Sequence, residues 1–503
     1  MKLLRPKWVV GVIVVIYSLV APKAKAQVNA QDSLALVDLY NSTGGSKWTN
    51  HNNWLTKSPV STWFGITENG GNVTVINLTT SLYSGNNLTG ILPSTLGNLI
   101  TLNSLNLKFN QLGGSIPSSF GNLINLNTLN LAFNILTGTI PSSIGNLVNL
   151  RYLNLQDNKL TSTIPLSLGN LTSLDSLDLS NNQINGSIPS SLGNLKNLEY
   201  LTFHGNHLSG SIPPSFGNLI NIKTIDLSFN HKINGNIPDS FANLLTLQSL
   251  SLEANNLSGN IPLCLGKLIN LQWLALTYNH FTGSIPDTLA NLVNIKYIEF
   301  SSNQLTGIIP SWLGKLTNLI WLNLADNQLS GVIPITLSNL NNLNELFLAK
   351  NKLSGHIPSS LTKLASVYIQ IDLEDNQFTF DGMEVMANLN YQIVDFHGRI
   401  GYTPQATIPL LKNGNKLYVS VGGTPTNNIF KWYKDSVQVA ENSGDSTYTP
   451  KSNGQYWVVA TNRVVTKLTL RSDTINITTL PTKTIRHRPI PPPQDRRCSG
   501  CKY

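Results

Sequence analysis

Apolar and polar positions along this chain follow one unit that is written again and again. Its clearest copy is Leu102-Asn103-Ser104-Leu105-Asn106-Leu107-Lys108-Phe109-Asn110-Gln111-Leu112-Gly113-Gly114-Ser115-Ile116-Pro117, the pattern LxxLxLxxNxLxGxIP. The asparagine returns at Asn86, Asn110, Asn134, Asn158, Asn182, Asn206, Asn230, Asn255, Asn279, Asn303, Asn327, Asn351 and Asn376, a spacing of 24 residues that lengthens to 25 twice. A fixed period of this length predicts a stacked solenoid. In Leu105-x-Leu107 the alternation turns the leucines inward, so each repeat supplies one short strand and the stack makes a parallel sheet lining a concave side. Each inward leucine is worth roughly 1.5–3 kcal/mol of burial. The asparagine amide both donates and accepts, so a column of them can satisfy the backbone of successive turns. The glycine of LxGxIP permits a positive φ, and the proline stops the strand on the convex side. Ser162 replaces that glycine once and predicts a local weak point.

Outside the array the pattern changes. From Gln31 to Asn53, Leu34, Leu36, Val37 and Leu39-Tyr40 have helical spacing, followed by Trp48, Trp54 and Trp63. Residues 27–80 therefore read as a cap over the open end of the stacked core, although three tryptophans could also make a ligand site. Residues 81–390 hold the repeats and a C-terminal cap, because Phe378-Thr379-Phe380-Asp381-Gly382-Met383 lacks the GxIP ending, and residues 391–405 read as a linker. Strand-like runs then follow at Leu417–Val421, Ile429–Tyr433, Gln455–Ala460 and Lys467–Leu470.

The stretch Leu136-Thr137-Gly138-Thr139-Ile140-Pro141-Ser142-Ser143-Ile144-Gly145-Asn146-Leu147 resembles the plant-type subclass of leucine-rich repeats. The resemblance covers residues 31–390. It implies the horseshoe solenoid of plant receptor ectodomains, polygalacturonase-inhibiting proteins and secreted bacterial relatives. Trp48, Trp54 and Trp63-Phe64-Gly65-Ile66-Thr67 resemble the cap of that family but lack its cysteine pair, which favours the bacterial relatives. Residues 406–477 resemble a small all-β immunoglobulin-like sandwich, with Trp432 as core tryptophan and Tyr456 in a tyrosine corner. No cysteines stand on the paired strands; Val419 or Val421 and Val458 take those places.

Charge narrows the functions. The net charge of +9 sits mostly at the ends: residues 1–26 carry five Lys/Arg and no acid, and residues 478–503 carry six against one Asp. Residues 27–400 hold 15 basic and 20 acidic side chains, which leaves no stripe to neutralise phosphates and excludes nucleic acid as a partner. Lys2, Arg5 and Lys7, the apolar run from Trp8 to Ala21, and Ala24-Lys25-Ala26 read as a signal peptide, residues 1–26, cleaved before Gln27, so the protein is secreted or held at the cell surface. No later segment could span a bilayer. Residues 478–503 form a disordered, basic, Pro-rich tail. Cys264, Cys498 and Cys501 are too few for a disulfide framework, and the lone Cys498-Ser499-Gly500-Cys501 is too little for a zinc site.

Positions 6, 4, 2 and 1 before each ladder asparagine should face out of the concave sheet. At minus six, Trp273, Tyr297 and Trp321 occupy consecutive repeats, with Tyr152 and Tyr200 earlier in the column and Tyr278 and Phe347 beside it. From Asp226 onward acids crowd the same columns: Asp226, Glu253, Glu299, Asp326, Glu345, Asp372, Glu374 and Asp375 against Lys350 alone. Rings beside carboxylates suit a sugar or a cationic protein. The same columns could equally stabilise the sheet and keep it soluble. The expected ligand site is Trp273, Tyr297, Trp321, Tyr278, Glu253, Glu299, Asp326, Glu345 and Phe347. An open surface does not split two carboxylate pKa values into acid and base roles, and no phosphate loop, serine elbow or HExxH occurs, so no enzyme, metal or cofactor is expected. His204 and His207 read as plain surface residues. The expected function is non-catalytic recognition of an extracellular protein or polysaccharide, with a structural adhesin or matrix rod, or an inhibitor of a polysaccharide-degrading enzyme, as alternatives.

Overall fold

The computed structural model describes residues 28–364, 370–389, 400–403 and 405–478. The leader, the basic tail, Cys498 and Cys501 lie outside the described residues. The chain divides into two compact units, one made of residues 1–306 and 312–327, the other of residues 307–311 and 328–503.

The first unit begins with a helix, Ala30–Ser42, whose N-terminus is capped by the Asn29 side chain accepting from Asp32 N–H. Ala35, Leu36 and Leu39 are buried, while Leu34, expected on the same face, is exposed. Asp32 is buried because its carboxylate accepts from the Val73 N–H at 2.7 Å, which fastens the helix to the first sheet strands. Trp48, Trp54 and Trp63 are buried in contact with one another and with Tyr40, at centroid distances of 4.8 to 5.9 Å. Each indole N–H donates to a backbone carbonyl, of Thr43, Phe64 and Ser58 respectively. These rings are core, with no face left for a ligand.

The antiparallel pair Ile66–Asn69 and Asn72–Asn77 then starts a sheet to which each coil adds one three-residue parallel strand in sequence order, from Ser104–Asn106 to Trp321–Asn323. A second parallel ladder forms at the LxG positions, between strands such as Lys159–Ser162 and Gln183–Ser187. Each coil returns through a short 3-10 helix that starts after the motif's proline. Successive 3-10 turns abut closely: a Cβ on Gly121 would lie 2.5 Å from both Cβ and O of Ser143, so a side chain there makes the two coils shift, as they must where Ala242 and Ala290 take the same place. The Ser143 hydroxyl donates back to Ser118 O at 2.6 Å, and the same bond recurs from Ser119 to Ser94 and from Ser167 to Ser142.

The expected asparagine column is present with a fixed wiring. Asn158 Nδ2 donates to Leu131 O, Leu155 O and Gln156 O at 3.0, 3.1 and 3.2 Å, while its Oδ1 accepts from Leu136 N at 2.9 Å. One buried amide thereby closes its own turn and joins the previous coil. The first repeat departs from the pattern: Thr79–Ser81 and Ser84–Gly85 form a small hairpin whose tip leaves Leu82 and Tyr83 exposed.

In the second unit Glu345–Phe347 pairs with Gln370–Asp372, and Ile400–Gly401 adds one more parallel strand. Of residues 391–405, expected as a linker, residues 400–403 and 405 belong to a further coil, and residues 391–399 lie outside the described residues. Gln405 takes the ladder place: Nε2 donates to Leu373 O and Tyr402 O, and Oε1 accepts from Phe378 N. Its one extra methylene reaches the same groups. A helix, Met383–Leu389, precedes it. Glu384 on this helix accepts from Thr424 N and Oγ1, Asn427 Nδ2 and Asn462 Nδ2. Burial raises its pKa, but these bonds to the carboxylate outweigh it and hold the group below its ordinary value.

The rest of the unit is an all-β module of two sheets. One contains Leu411–Asn413, Lys416–Tyr418 and Thr447–Tyr448. The other runs Val437–Ser443, Asn428–Lys434 and Gly454–Asn462, the last strand also carrying Thr469–Arg471 and Ile475–Ile477. Leu417, Val419 and Val421 from the first side and Phe430, Trp432, Tyr456, Val458, Ala460 and Leu470 from the second are buried. The edge strand Val437–Ser443 had no signal in the sequence reading, since its side chains are mostly exposed and do not alternate cleanly.

Two substitutions probe the coil. Ser162 keeps the left-handed backbone of the glycine it replaces, at φ 71°. Ser162→Gly should stabilise the protein by about 1 kcal/mol, read as a higher urea midpoint with unchanged m. Asn158→Ala should cost at least about 1–3 kcal/mol, because buried carbonyls and one N–H lose their partner together.

Candidate ligand surface on the open sheet face

The strands place the expected rings in one row. Trp273 is in register with Tyr297, and Tyr297 with Trp321, while Leu274, Ile298 and Leu322 one position on are buried beneath the sheet. The Trp273 and Tyr297 rings lie 4.6 Å apart, tilted by 30°. Trp273 is 38% exposed, but Tyr297 and Trp321 are half-buried, so the row offers ring edges and one open face where the sequence suggested three open rings. Tyr278 stands beside it, 61% exposed.

Glu299 lies two residues past Tyr297 on the same strand, between Ala275 and Asn323 in the sheet row. Glu253 sits just past the strand Ser249–Ser251. Among the described residues neither enters an ion pair. Burial raises both carboxyls above their ordinary pKa; Glu253 pushes Glu299 further, and Asp226 does the same to Glu253, with His204 opposing. Asp178 follows the same pattern, raised by burial and by Asp157 and Asp226 against hydrogen bonds from Ser180. The sheet face therefore carries negative charge that its own side chains do not neutralise. Asp326 is held differently, accepting from Ser302 Oγ at 2.8 Å. Glu345 and Phe347 belong to the second unit, both half-buried on one strand, and burial raises Glu345. The nine expected residues thus fall into a group of seven and a pair.

The column immediately before each asparagine has a property the sequence reading did not find. Phe109, Phe133, Asp157, Asn181, Gly205, Phe229, Ala254, Tyr278, Ser302, Asp326, Lys350 and Asp375 all have positive φ. A left-handed turn is thus built into every coil from Asn110 to Asn376. Gly, Asn and Asp in this column were the available signal, since those types favour such a backbone. Bulky residues do not, yet Phe133 and Phe229 stand there, each more than a third exposed, and Phe109 stacks on Phe133 at 4.4 Å.

His204 is not the plain surface residue expected. Its Nδ1 is 2.8 Å from Ser228 Oγ, which in turn donates to Asp226 Oδ1 at 2.5 Å. Because the hydroxyl proton points to the carboxylate, the imidazole must be the donor to Ser228. That direction is opposite to the one that activates a serine nucleophile. Among the described residues no cluster of three His, Cys, Asp or Glu could hold a metal ion. Cys264 is half-buried, and burial raises its thiol pKa, so it is not an activated thiol.

Family models agree with this architecture. A leucine-rich repeat region matches residues 136–261, a leucine rich repeat model matches residues 101–160 and 269–329, and another matches residues 342–364. The chain belongs to the leucine-rich repeat proteins, and to their plant type. Among solved structures, this leucine-rich repeat chain is similar to the ectodomain of the Arabidopsis thaliana receptor kinase GASSHO1/SCHENGEN3 in complex with Casparian strip integrity factor 2, at 32% identity and TM-score 0.63, over 76% of this chain and 48% of that one. The Arabidopsis receptor kinase HAESA ectodomain, in complex with an extended IDA peptide hormone, matches at 28% identity and TM-score 0.54, over 75% and 77%. A leucine-rich repeat protein of Leptospira interrogans matches at 32% identity and TM-score 0.51, over 62% and 76%. The chain spans 48% to 59% of the length of the first four solved receptor chains it matches. No curated protein matches it. No helix among the described residues is long and apolar enough to cross a membrane.

The raised carboxyls of this leucine-rich repeat face have a measurable consequence. A carboxyl whose folded pKa exceeds its unfolded value binds its proton earlier in the native state, so stability falls as pH rises through that window. Glu299→Gln should therefore stabilise the protein at pH 7, by less than about 1 kcal/mol after solvent screening and read as a higher Tm, and the gain should vanish near pH 4.

Proposed function

We propose that this leucine-rich repeat protein is a non-catalytic extracellular recognition protein that binds a protein or polysaccharide ligand through the concave face of its first unit. The observation that carries the reading is the register of Trp273 with Tyr297 beside Glu299 and Glu253, half-buried acids of which Glu253 pushes Glu299 up and is itself pushed up by Asp226, and which enter no ion pair among the described residues. A bound Lys or Arg would relieve that repulsion while the rings pack its methylene stem, which favours a cationic protein segment over a neutral sugar. Two of the solved neighbours, both receptor ectodomains, are complexes with a peptide hormone or an integrity factor. The same neighbours support an extracellular or cell-surface location, in keeping with the leader expected over residues 1–26.

The similarity to the Leptospira interrogans protein and the cap without a cysteine pair support membership of the secreted bacterial branch. The C-terminal module is read as immunoglobulin-like. Trp432 is buried between its sheets, Val458 fills a cysteine position, and the Tyr456 hydroxyl donates back to Ser452 O at 2.7 Å, the bond of a tyrosine corner. It would serve as spacer or second contact.

Binding of the full chain to arrays of Lys/Arg-rich extended peptides, extracellular proteins and neutral glycans tests the reading. Trp273→Ala with Tyr297→Ala should weaken binding by tenfold or more, about 1.4 kcal/mol, with the cooperative melt retained. Full-strength binding by that variant, or no captured ligand, would leave the chain as a rigid rod with a decorative surface.

A further inference from the structure

The second unit carries a surface of the opposite charge. Residues 406–477 hold eight Lys/Arg against four Asp/Glu, whereas residues 27–400 hold 15 against 20. Part of this charge is organised on the outer face of the larger sheet of the module. Along Asn428–Lys434 and Gly454–Asn462, Phe430, Trp432, Tyr456, Val458 and Ala460 point into the core. The alternate residues Lys431, Tyr433, Trp457 and Val459 therefore face out, and Arg471, in register with Val459, joins them from the neighbouring strand.

Three of these side chains form a layered stack across three strands. Tyr433 and Trp457 are in register, with rings 4.0 Å apart and only 5° from parallel. The Arg471 guanidinium lies over the Trp457 ring, 4.4 Å from its centroid. Stacking fixes the plane of the guanidinium, yet among the described residues no carboxylate or carbonyl accepts from it. Arg471 is exposed. The result is a pre-oriented donor fork, the geometry that reads a planar or tetrahedral anion with two parallel hydrogen bonds. Lys431 lies in the same row, separated from Arg471 by Val459, and makes only a long 3.9 Å contact with Glu441. Two strand spacings set the backbones of the two cations about 10 Å apart.

We propose that this face binds an anionic polysaccharide, one whose carboxylate or sulfate groups occur on alternate sugars. Arg471 takes one anionic group bidentately, Lys431 takes the next, and the edges of Tyr433 and Trp457 with Val459 support the sugar ring between them. A flexible acidic loop would meet the same charges but would leave this flat three-strand row unfilled. The site is separate from the acidic, aromatic face of the first unit, and it would give the module a contact of its own.

The test uses the full chain with hyaluronate and chondroitin sulfate as carboxylate and sulfate probes, dextran as uncharged control, and a DNA duplex as a non-sugar polyanion. Retention or calorimetry should show salt-sensitive binding of at least one anionic glycan and none of dextran. Arg471→Gln should weaken it about tenfold, and Arg471→Lys, which keeps the charge but loses the fork, should fail to restore it. Trp273→Ala should leave it unchanged, so that failure here and failure of the concave-face reading stay distinct. Glycan binding that survives Arg471→Gln with Lys431→Gln would come from the basic tail and would overturn the site, as would equal binding of dextran. DNA bound as tightly as the glycans, and lost with them in the same variant, would overturn the assignment to a sugar chain. A cooperative melt retained by the double variant shows that the loss is not unfolding.

Discussion

The structure depends on one amide. A ladder asparagine such as Asn158 gives its two N–H bonds to carbonyls of its own turn and of the previous coil, Leu155, Gln156 and Leu131, and takes the Leu136 N–H in return, although Asn255 Oδ1, at a 25-residue step, has no such donor. Leucines supply the larger share of the burial energy, but apolar contact is not directional and would accept many registers. The buried amide accepts one, because a slip by a single residue would strand several polar groups at about 1–3 kcal/mol each. Gln405 shows how firmly the position is specified: where the asparagine is missing, a longer amide is recruited to the same groups.

Around that column the coil assigns its remaining positions. From Asn110 to Asn376 the turn that follows each strand takes a left-handed residue just before the asparagine, and the returning 3-10 helices take a small residue, as where Gly121 meets Ser143. What remains free is the set of side chains on the open sheet face. There the chain has placed rings in register and half-buried acids, with Asp226 raising Glu253 and Glu253 raising Glu299, which is a poor arrangement for stability alone. Carboxylates such as Glu253 and Glu299 are more at ease once a cation arrives.

Much of this was legible in the residues. Spacing alone placed the strands, the inward leucines and the register of Trp273, Tyr297 and Trp321, because a fixed period converts sequence distance directly into neighbourhood. The misses share a cause: they depend on how side chains settle between coils. Tyr297 and Trp321 are half-buried because neighbouring groups close over them, and His204 is tied to Ser228 by a hydroxyl one coil away. Residues 400–405 escaped because 29 residues separate Asn376 from Gln405, and glutamine broke the letter while keeping the chemistry. The Tyr433, Trp457 and Arg471 stack joins strands that no repeat relates, so its parts could be read only singly.

The place of Gln405 has one more consequence. Only Ala406 and Thr407 separate this last ladder amide from Ile408, which already pairs with Ser472 and Asp473 in the β module. Glu384 meanwhile grips Thr424, Asn427 and Asn462 from the helix before it. Within the second unit the β module thus has two attachments to the end of the repeats and almost no slack between them. A load entering through the module would be shared by both attachments, so the joint would behave as a weld, where a hinge would yield one bond at a time.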